Sequence, residues 1–180
     1  MTTEQQDIKT FWLGNKYLAK SAFIKAHPYP FLVDSGQAEL GKPHMEFETI
    51  ASKDEGDRKL FSQLVHVNME SRLFRILKKG DSSFPNKITV GRSQNNDLVL
   101  EHSSISKFHG FFTINELNFN YELTDVNSMN GTKVNGKPLT AMMREEIQNG
   151  DVLTFGDLTF IFLLSRDLYT RIRILEKFLT

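Results

Sequence analysis

The sequence predicts a mainly β fold, a sandwich or barrel of short strands with helical segments toward both ends of the chain. Three observations predict it. From Arg72 onward, RLFRIL, KITV, DLVL, HGFFTI, FNYELTD, GTKV, DVLTF and LTFIFLL are eight β-prone runs separated by Gly, Asn, Asp and Ser, the texture of an all-β domain. Within FNYELT, Phe119, Tyr121 and Leu123 fall on one face and Asn120, Glu122 and Thr124 on the other, the two-residue period of a half-buried strand. Finally, the 180 residues hold 15 Phe against 1 Trp and 4 Tyr, in a composition that is 39% hydrophobic. A chain of this size buries a sizeable core, and Phe is what fills it.

The elements follow in order. Residues 3–26 read as one helix: Thr3 with Gln6 makes a capping-box start, and Ile8, Phe11, Trp12, Leu18, Ala22 and Phe23 recur at helical spacing. His27-Pro28-Tyr29-Pro30 ends it. PFLVDSG and HMEFETI are candidate short strands, ASKDEGDRK is a charged connection, and FSQLVHV is a further apolar run. Residues 1–71, a helix plus a mixed extension, carry no nameable motif. Three Asn-Gly pairs, at 130–131, 135–136 and 149–150, mark turns with positive φ, and the one at 135–136 sits between GTKV and KPL as a plain hairpin signal. Residues 165–180 read as an amphipathic helix, with Ser165 as N-cap and Leu168, Ile172, Leu175 and Leu179 as its apolar stripe.

Charge and composition narrow the function. Lys plus Arg and Asp plus Glu are equal at 22 each, so no overall field draws the chain to nucleic acid or to an anionic membrane, and any anion is caught locally. With no Cys there are no disulfides, thiolate metal sites or cysteine catalysis. No metal site is expected. MTTEQQDIKTFW lacks the basic start and apolar run of a secretory signal, and no 18-residue apolar stretch occurs, so the expected location is cytoplasmic.

Chemistry concentrates in three loops. Gly91-Arg92 follows KITV, Ser106 and His109 precede HGFFTI, and Asn130-Gly131-Thr132 follows FNYELTDVNSM. As an ordered series, GRSQNNDLVL, SISKFHGFF, DVNSMNGTKVNG and IQNGDVLTFGDLTFIF closely resemble the forkhead-associated (FHA) domain family over roughly residues 72–164. The resemblance implies an eleven-stranded β-sandwich whose loops at one end bind a phosphothreonine peptide, with no cofactor. A phosphorylated side chain carries about −1.5 to −2 charges and strong acceptor oxygens. Its pocket therefore needs a guanidinium, hydroxyl donors and backbone N–H groups gathered on a rigid scaffold.

By that resemblance Arg92 donates to the phosphate, Ser106 donates its hydroxyl, Lys107 adds charge, Met129 offers its backbone N–H, and Asn130 bonds the peptide main chain. Gly91, His109 and Gly131 shape the loops, with His109 a brace that does not touch phosphate. His102 is assigned to the surface. Ser104 stands where several family members have Arg, so Lys107 and Lys133 are candidates for the missing charge.

The leading function is a non-catalytic phosphothreonine-peptide module, an adaptor or effector downstream of a Ser/Thr kinase. One alternative keeps the fold as a scaffold or assembly protein that binds independently of phosphorylation. Another is hydrolase chemistry by Ser106, His109 and Asp125, against which stands the lack of a G-x-S-x-G elbow. Thr2 or Thr3, phosphorylated in the N-terminal segment, is a further candidate as an internal ligand of the same pocket.

Overall fold

A computed structural model of the chain describes residues 6–34, 68–80, 84, 86–115 and 120–178. Thr2, Thr3, Phe119, Leu179 and the runs HMEFETI, ASKDEGDRK and FSQLVHV lie outside them. Two sheets face each other. Among the described residues one holds seven strands and the other five.

In chain order the strands are β1 (Gln6–Asp7), β2 (Phe31–Asp34), β3 (Arg72–Arg75), β4 (Ile88–Gly91), β5 (Leu98–Val99), β6 (Gly110–Ile114), β7 (Tyr121–Asp125), β8 (Thr132–Val134), β9 (Lys137–Pro138), β10 (Arg144–Ile147), β11 (Val152–Phe155) and β12 (Leu158–Leu163). The seven-stranded sheet runs β1-β3-β2-β12-β11-β8-β9 and the five-stranded sheet β10-β7-β6-β4-β5. Twelve strands thus occur among the described residues where eleven were expected, including the two-residue β1 on the edge beyond β3.

β12 explains the packing. Phe160 and Phe162 point into the sandwich with Leu32, Phe74, Phe112, Leu123, Leu153 and Phe155. Their neighbours Ile161 and Leu163 point the other way, into a second apolar cluster with Phe31, Val33 and Leu73. That second face is covered by α1 (Ile8–Leu13), α2 (Lys20–Ala26) and α3 (Ser165–Phe178), which contribute Phe11, Trp12, Phe23, Leu168 and Ile172. A strand covered on both faces has no reason to alternate in polarity, which is why FIFL at 160–163 is an unbroken apolar run. Among the described residues no helix is long and apolar enough to cross a membrane.

One expectation needs correction. The segment 3–26 is not one helix: its described part is β1, α1, a turn over 14–19, and α2. Asp7, not Thr3, caps α1, its carboxylate accepting the Thr10 N–H at 2.6 Å and the Thr10 hydroxyl at 2.9 Å. Asn15 ends that helix by donating its side-chain amide to the Phe11 carbonyl at 2.7 Å, a local bond that competes with continuing the helix.

β2 lies between β12 and β3, with Phe31 opposite both Leu163 and Arg75, so a boundary between 71 and 72 would cut through the larger sheet.

Candidate functional site

The three loops singled out in the sequence meet at one end of the sandwich, and backbone bonds hold them there. Beyond β4, the Arg92 N–H donates to the Ser106 carbonyl at 2.9 Å and the Ser93 N–H to the Lys107 carbonyl at 3.2 Å. This short ladder needs a close approach at Gly91, where a Cβ would clash with the Lys107 carbonyl oxygen and stand 2.8 Å from Asn96 Nδ2. Glycine is required there by space. The Arg92 side chain lies along the same loop, its Nε donating to the Ile105 carbonyl at 3.1 Å. Among the described residues no carboxylate pairs with the exposed Arg92 or Lys107. Two unneutralised cations therefore share the rim.

The third loop is tied to the second from beneath. His109 is fully buried. Its Nδ1 accepts the Ser106 N–H at 3.2 Å and its Nε2 faces the Gly131 carbonyl at 3.2 Å. A backbone N–H can only donate, so Nδ1 is bare and the ring proton sits on Nε2, donating to Gly131. Burial pushes the His109 pKa below the ordinary histidine value, against the opposing pull of Asp125, which keeps this neutral tautomer in place.

Asp125 anchors the β7–β8 turn. Burial alone would raise its pKa, but bonds from the Ser128 hydroxyl, the Thr132 hydroxyl and the Ser128 N–H outweigh that and hold it below the usual carboxylate value. Those bonds measure 2.6, 2.5 and 2.8 Å. Gly131 takes a positive φ of 71°, a conformation that glycine adopts without penalty.

At the rim the Ser106 hydroxyl oxygen accepts the Met129 N–H at 3.0 Å, which leaves its own hydrogen free to donate outward. The Met129 N–H expected to face a phosphate is therefore committed within the chain. Asn130 donates Nδ2 to the Ser104 carbonyl at 2.8 Å and is otherwise exposed. Its amide keeps one hydrogen and its carbonyl oxygen for a passing main chain.

Several residues that hold the site carried no assignment in the sequence. Asn96, almost fully buried, donates from Nδ2 to the Ser93 carbonyl at 2.8 Å and to the Lys107 carbonyl at 2.7 Å, so one amide joins both cation-bearing loops. Asp97 braces the base of the first loop, accepting from Thr89 N–H at 2.8 Å, Lys79 N–H at 2.8 Å and Lys78 Nζ at 2.9 Å.

Ser104 is buried. Its hydroxyl accepts the Asp157 N–H at 3.0 Å and meets His102 Nδ1 at 2.8 Å, so His102, assigned to the surface, is part of this support. Gly156 packs against Ser104 so closely that a Cβ on Gly156 would stand 2.7 Å from the Ser104 hydroxyl oxygen. Several of these partners, the Lys107 carbonyl for Asn96 and the Asp157 N–H for Ser104 among them, come from distant segments and leave no local pattern to read.

Residues 88–156 match the family model described as FHA domain. Among curated proteins, the chain is 39% identical over 75 residues to an oxoglutarate dehydrogenase inhibitor of Corynebacterium glutamicum, covering 42% of this chain and 49% of that one. It is 32% identical to the glycogen accumulation regulator GarA of Mycobacterium tuberculosis, covering 42% and 43%. The chain thus spans about half the length of these relatives or less. The solved FHA domain of the CT664 protein of Chlamydia trachomatis is 25% identical, with a TM-score of 0.42 over 52% of this chain and 85% of that one.

Proposed function

We propose, from the match of residues 88–156 to the FHA domain model, that the loop rim binds phosphothreonine peptides, making the protein a cytoplasmic, non-catalytic adaptor or effector downstream of a Ser/Thr kinase. The observation that carries this is the joining of Arg92 and Lys107, both exposed and without a carboxylate partner among the described residues, to the Ser106 loop by backbone bonds. Such an arrangement offers a phosphate a guanidinium, an ammonium and a hydroxyl without prior rearrangement. In this account Arg92 and Ser106 bond the phosphate, Lys107 adds charge, and Asn130 holds the peptide main chain beside it. Met129 acts through the Ser106 hydroxyl, fixing its direction. Gly91, His109 and Gly131 set the loop shapes.

The hydroxyl and imidazole at Ser106 and His109 do not favour nucleophilic chemistry. His109 Nδ1 is occupied by the Ser106 backbone N–H, and Nε2 faces the Gly131 carbonyl. No ring lone pair is left to take the hydroxyl proton. Two relatives are by name an inhibitor and a regulator, which suits control by binding.

Ser104 favours a second reading, a scaffold that binds without phosphate, because a buried hydroxyl occupies a position where several family members place a second cation. A peptide array probed with native chain and Arg92→Ala, in phosphorylated and unphosphorylated form, separates the two. The phosphothreonine reading predicts signal only for native chain on phosphorylated spots, with affinity of about micromolar order. Equal signal in all four combinations would assign the scaffold role.

A further inference from the structure

We propose that Asn130 is a deamidation site, and that its conversion to aspartate or isoaspartate closes the rim to phosphate in unoccupied chains while a bound phosphopeptide protects it. The modification stands on the structure alone; its consequence rests on the phosphopeptide function proposed above. In an Asn-Gly pair the backbone nitrogen of the glycine, having given its proton to solvent, attacks the asparagine Cγ. The new C–N bond closes a five-membered succinimide as the Cγ–Nδ2 bond breaks, and the amide leaves as ammonia with a proton from water. Water then adds to one of the ring carbonyls and cleaves its bond to nitrogen, giving aspartate or, when the backbone carbonyl is opened, isoaspartate. Water is the only co-reactant. Glycine leaves the attack unshielded, since it has no Cβ.

Three pairs offer this chemistry, at 130–131, 135–136 and 149–150, and their asparagines are all exposed. Hydrogen bonds choose among them. Ring closure needs an asparagine side chain free to turn onto a glycine nitrogen that is itself uncommitted. At 135 the side chain is held at both ends, Nδ2 donating to the Asp151 carboxylate at 2.8 Å and Oδ1 accepting the Val152 N–H at 2.9 Å. At 149 the Oδ1 accepts the Leu164 N–H at 2.8 Å, and the attacking nitrogen is engaged, the Gly150 N–H donating to the Phe162 carbonyl at 2.8 Å. The Asn130 side chain has a single bond, from Nδ2 to the Ser104 carbonyl. The Gly131 N–H makes no backbone bond among the described residues.

The product opposes the site. An aspartate at 130 has no N–H to give the Ser104 carbonyl and sets a carboxylate against it, so the tie between the second and third loops becomes a repulsion. It also adds a negative charge next to Met129, whose N–H meets the Ser106 hydroxyl, against the charge of an incoming phosphate. Isoaspartate lengthens the backbone by a methylene group just before Gly131, whose carbonyl is held by His109 and by the Gly156 N–H at 3.0 Å, so the loop loses its register. A peptide main chain bonded to Asn130, by contrast, takes up its Oδ1 and second amide hydrogen and pins the side chain as Asn135 is pinned.

The test is peptide mapping of the full chain by mass spectrometry during incubation at mildly alkaline pH, with and without the tightest phosphothreonine peptide from the array. Asn130 should convert at least about fivefold faster than Asn135 and Asn149, the effect of a hydrogen bond or two. Peptide at about ten times its Kd leaves about a tenth of the chain free, so conversion at 130 should slow about tenfold while the rates at 135 and 149 hold. Aged chain separated by charge, and Asn130→Asp made directly, should both bind the phosphopeptide at least about tenfold more weakly than native chain. The aged fraction reports on the product even where the variant does not fold. Conversion at 130 no faster than at the other pairs overturns the site. Unchanged binding by the converted fraction overturns the closure, and conversion that bound peptide does not slow overturns the protection. Conversion led by 130 in a chain that binds no phosphopeptide keeps the modification site and removes the phosphopeptide function.

Discussion

At the scale of single residues, His109 holds two loops with one ring. Replacing it with Ala would leave the Ser106 N–H and the Gly131 carbonyl without partners beneath the rim, at about 1–3 kcal/mol for each group left buried and unpaired. Urea unfolding of His109→Ala should therefore show a clearly lower midpoint, and a midpoint equal to native would mean the ring is not a brace. Gly91→Ala acts through space, since its new Cβ meets the Lys107 backbone carbonyl. The backbone cannot swing aside as a side chain would, so about 1–3 kcal/mol of destabilisation is expected by the same measurement. Arg92, Ser106, His109 and Asn130 were singled out because the ordered series that contains them resembles a known family. Asn96, Asp97, Ser104 and His102 were not. Asn96, Asp97 and Ser104 bond groups from distant parts of the chain, and a buried amide facing two carbonyls looks in sequence like any loop asparagine.

Among the elements, α3 tests whether the helical layer matters to the sandwich. Leu168 and Ile172 are fully buried against β2, β3 and β12. Truncating Leu168 to Ala should cost about 2–5 kcal/mol. It should leave the peptide affinity of the folded protein unchanged, because this layer lies on the outer face of the larger sheet while the loops are fixed by their own bonds. Calorimetric melting together with peptide titration checks both halves; a large affinity loss at full stability would contradict the separation. Strand content was readable where runs were apolar. It was not for β10, whose REEI carries exposed charges along a sheet edge, a placement that discourages pairing with other chains but removes the apolar signal. The break between α1 and α2 was also hidden, since apolar spacing continues across Gly14 and Asn15.

For the whole molecule, β2 and β3 neighbour one another in the sheet although a long stretch separates them in sequence, a pairing that no local pattern announces. The whole chain also has a predictable response to acid. His27 and His109 both have lowered pKa values, through burial first, with Arg75 adding to the effect at His27 and Asp125 opposing it at His109. Below about pH 6.5 the unfolded chain then binds more protons than the folded one. Their contribution to stability is complete above that pH and is lost as pH falls through the folded values. Asp97 and Asp125 follow further down. Burial would raise both, yet hydrogen bonds to each carboxylate prevail and lower them, so their contribution is present above about pH 3.9 and lost as pH falls below it. Urea midpoints should be flat from pH 8 to 6.5 and decline in two stages below; a midpoint that rises between pH 7 and 5 would contradict the burial of these rings.

The central claim is that the loops around Arg92, Ser106 and Asn130 are where a phosphothreonine lands. The most direct measurement is a titration of isotope-labelled chain with the tightest array peptide, following backbone amide resonances. Shifts should concentrate at 92–93, 104–107 and 129–131 and vanish when the same peptide lacks its phosphate. Shifts of equal size with unphosphorylated peptide, or shifts confined to the helical layer, would contradict the account.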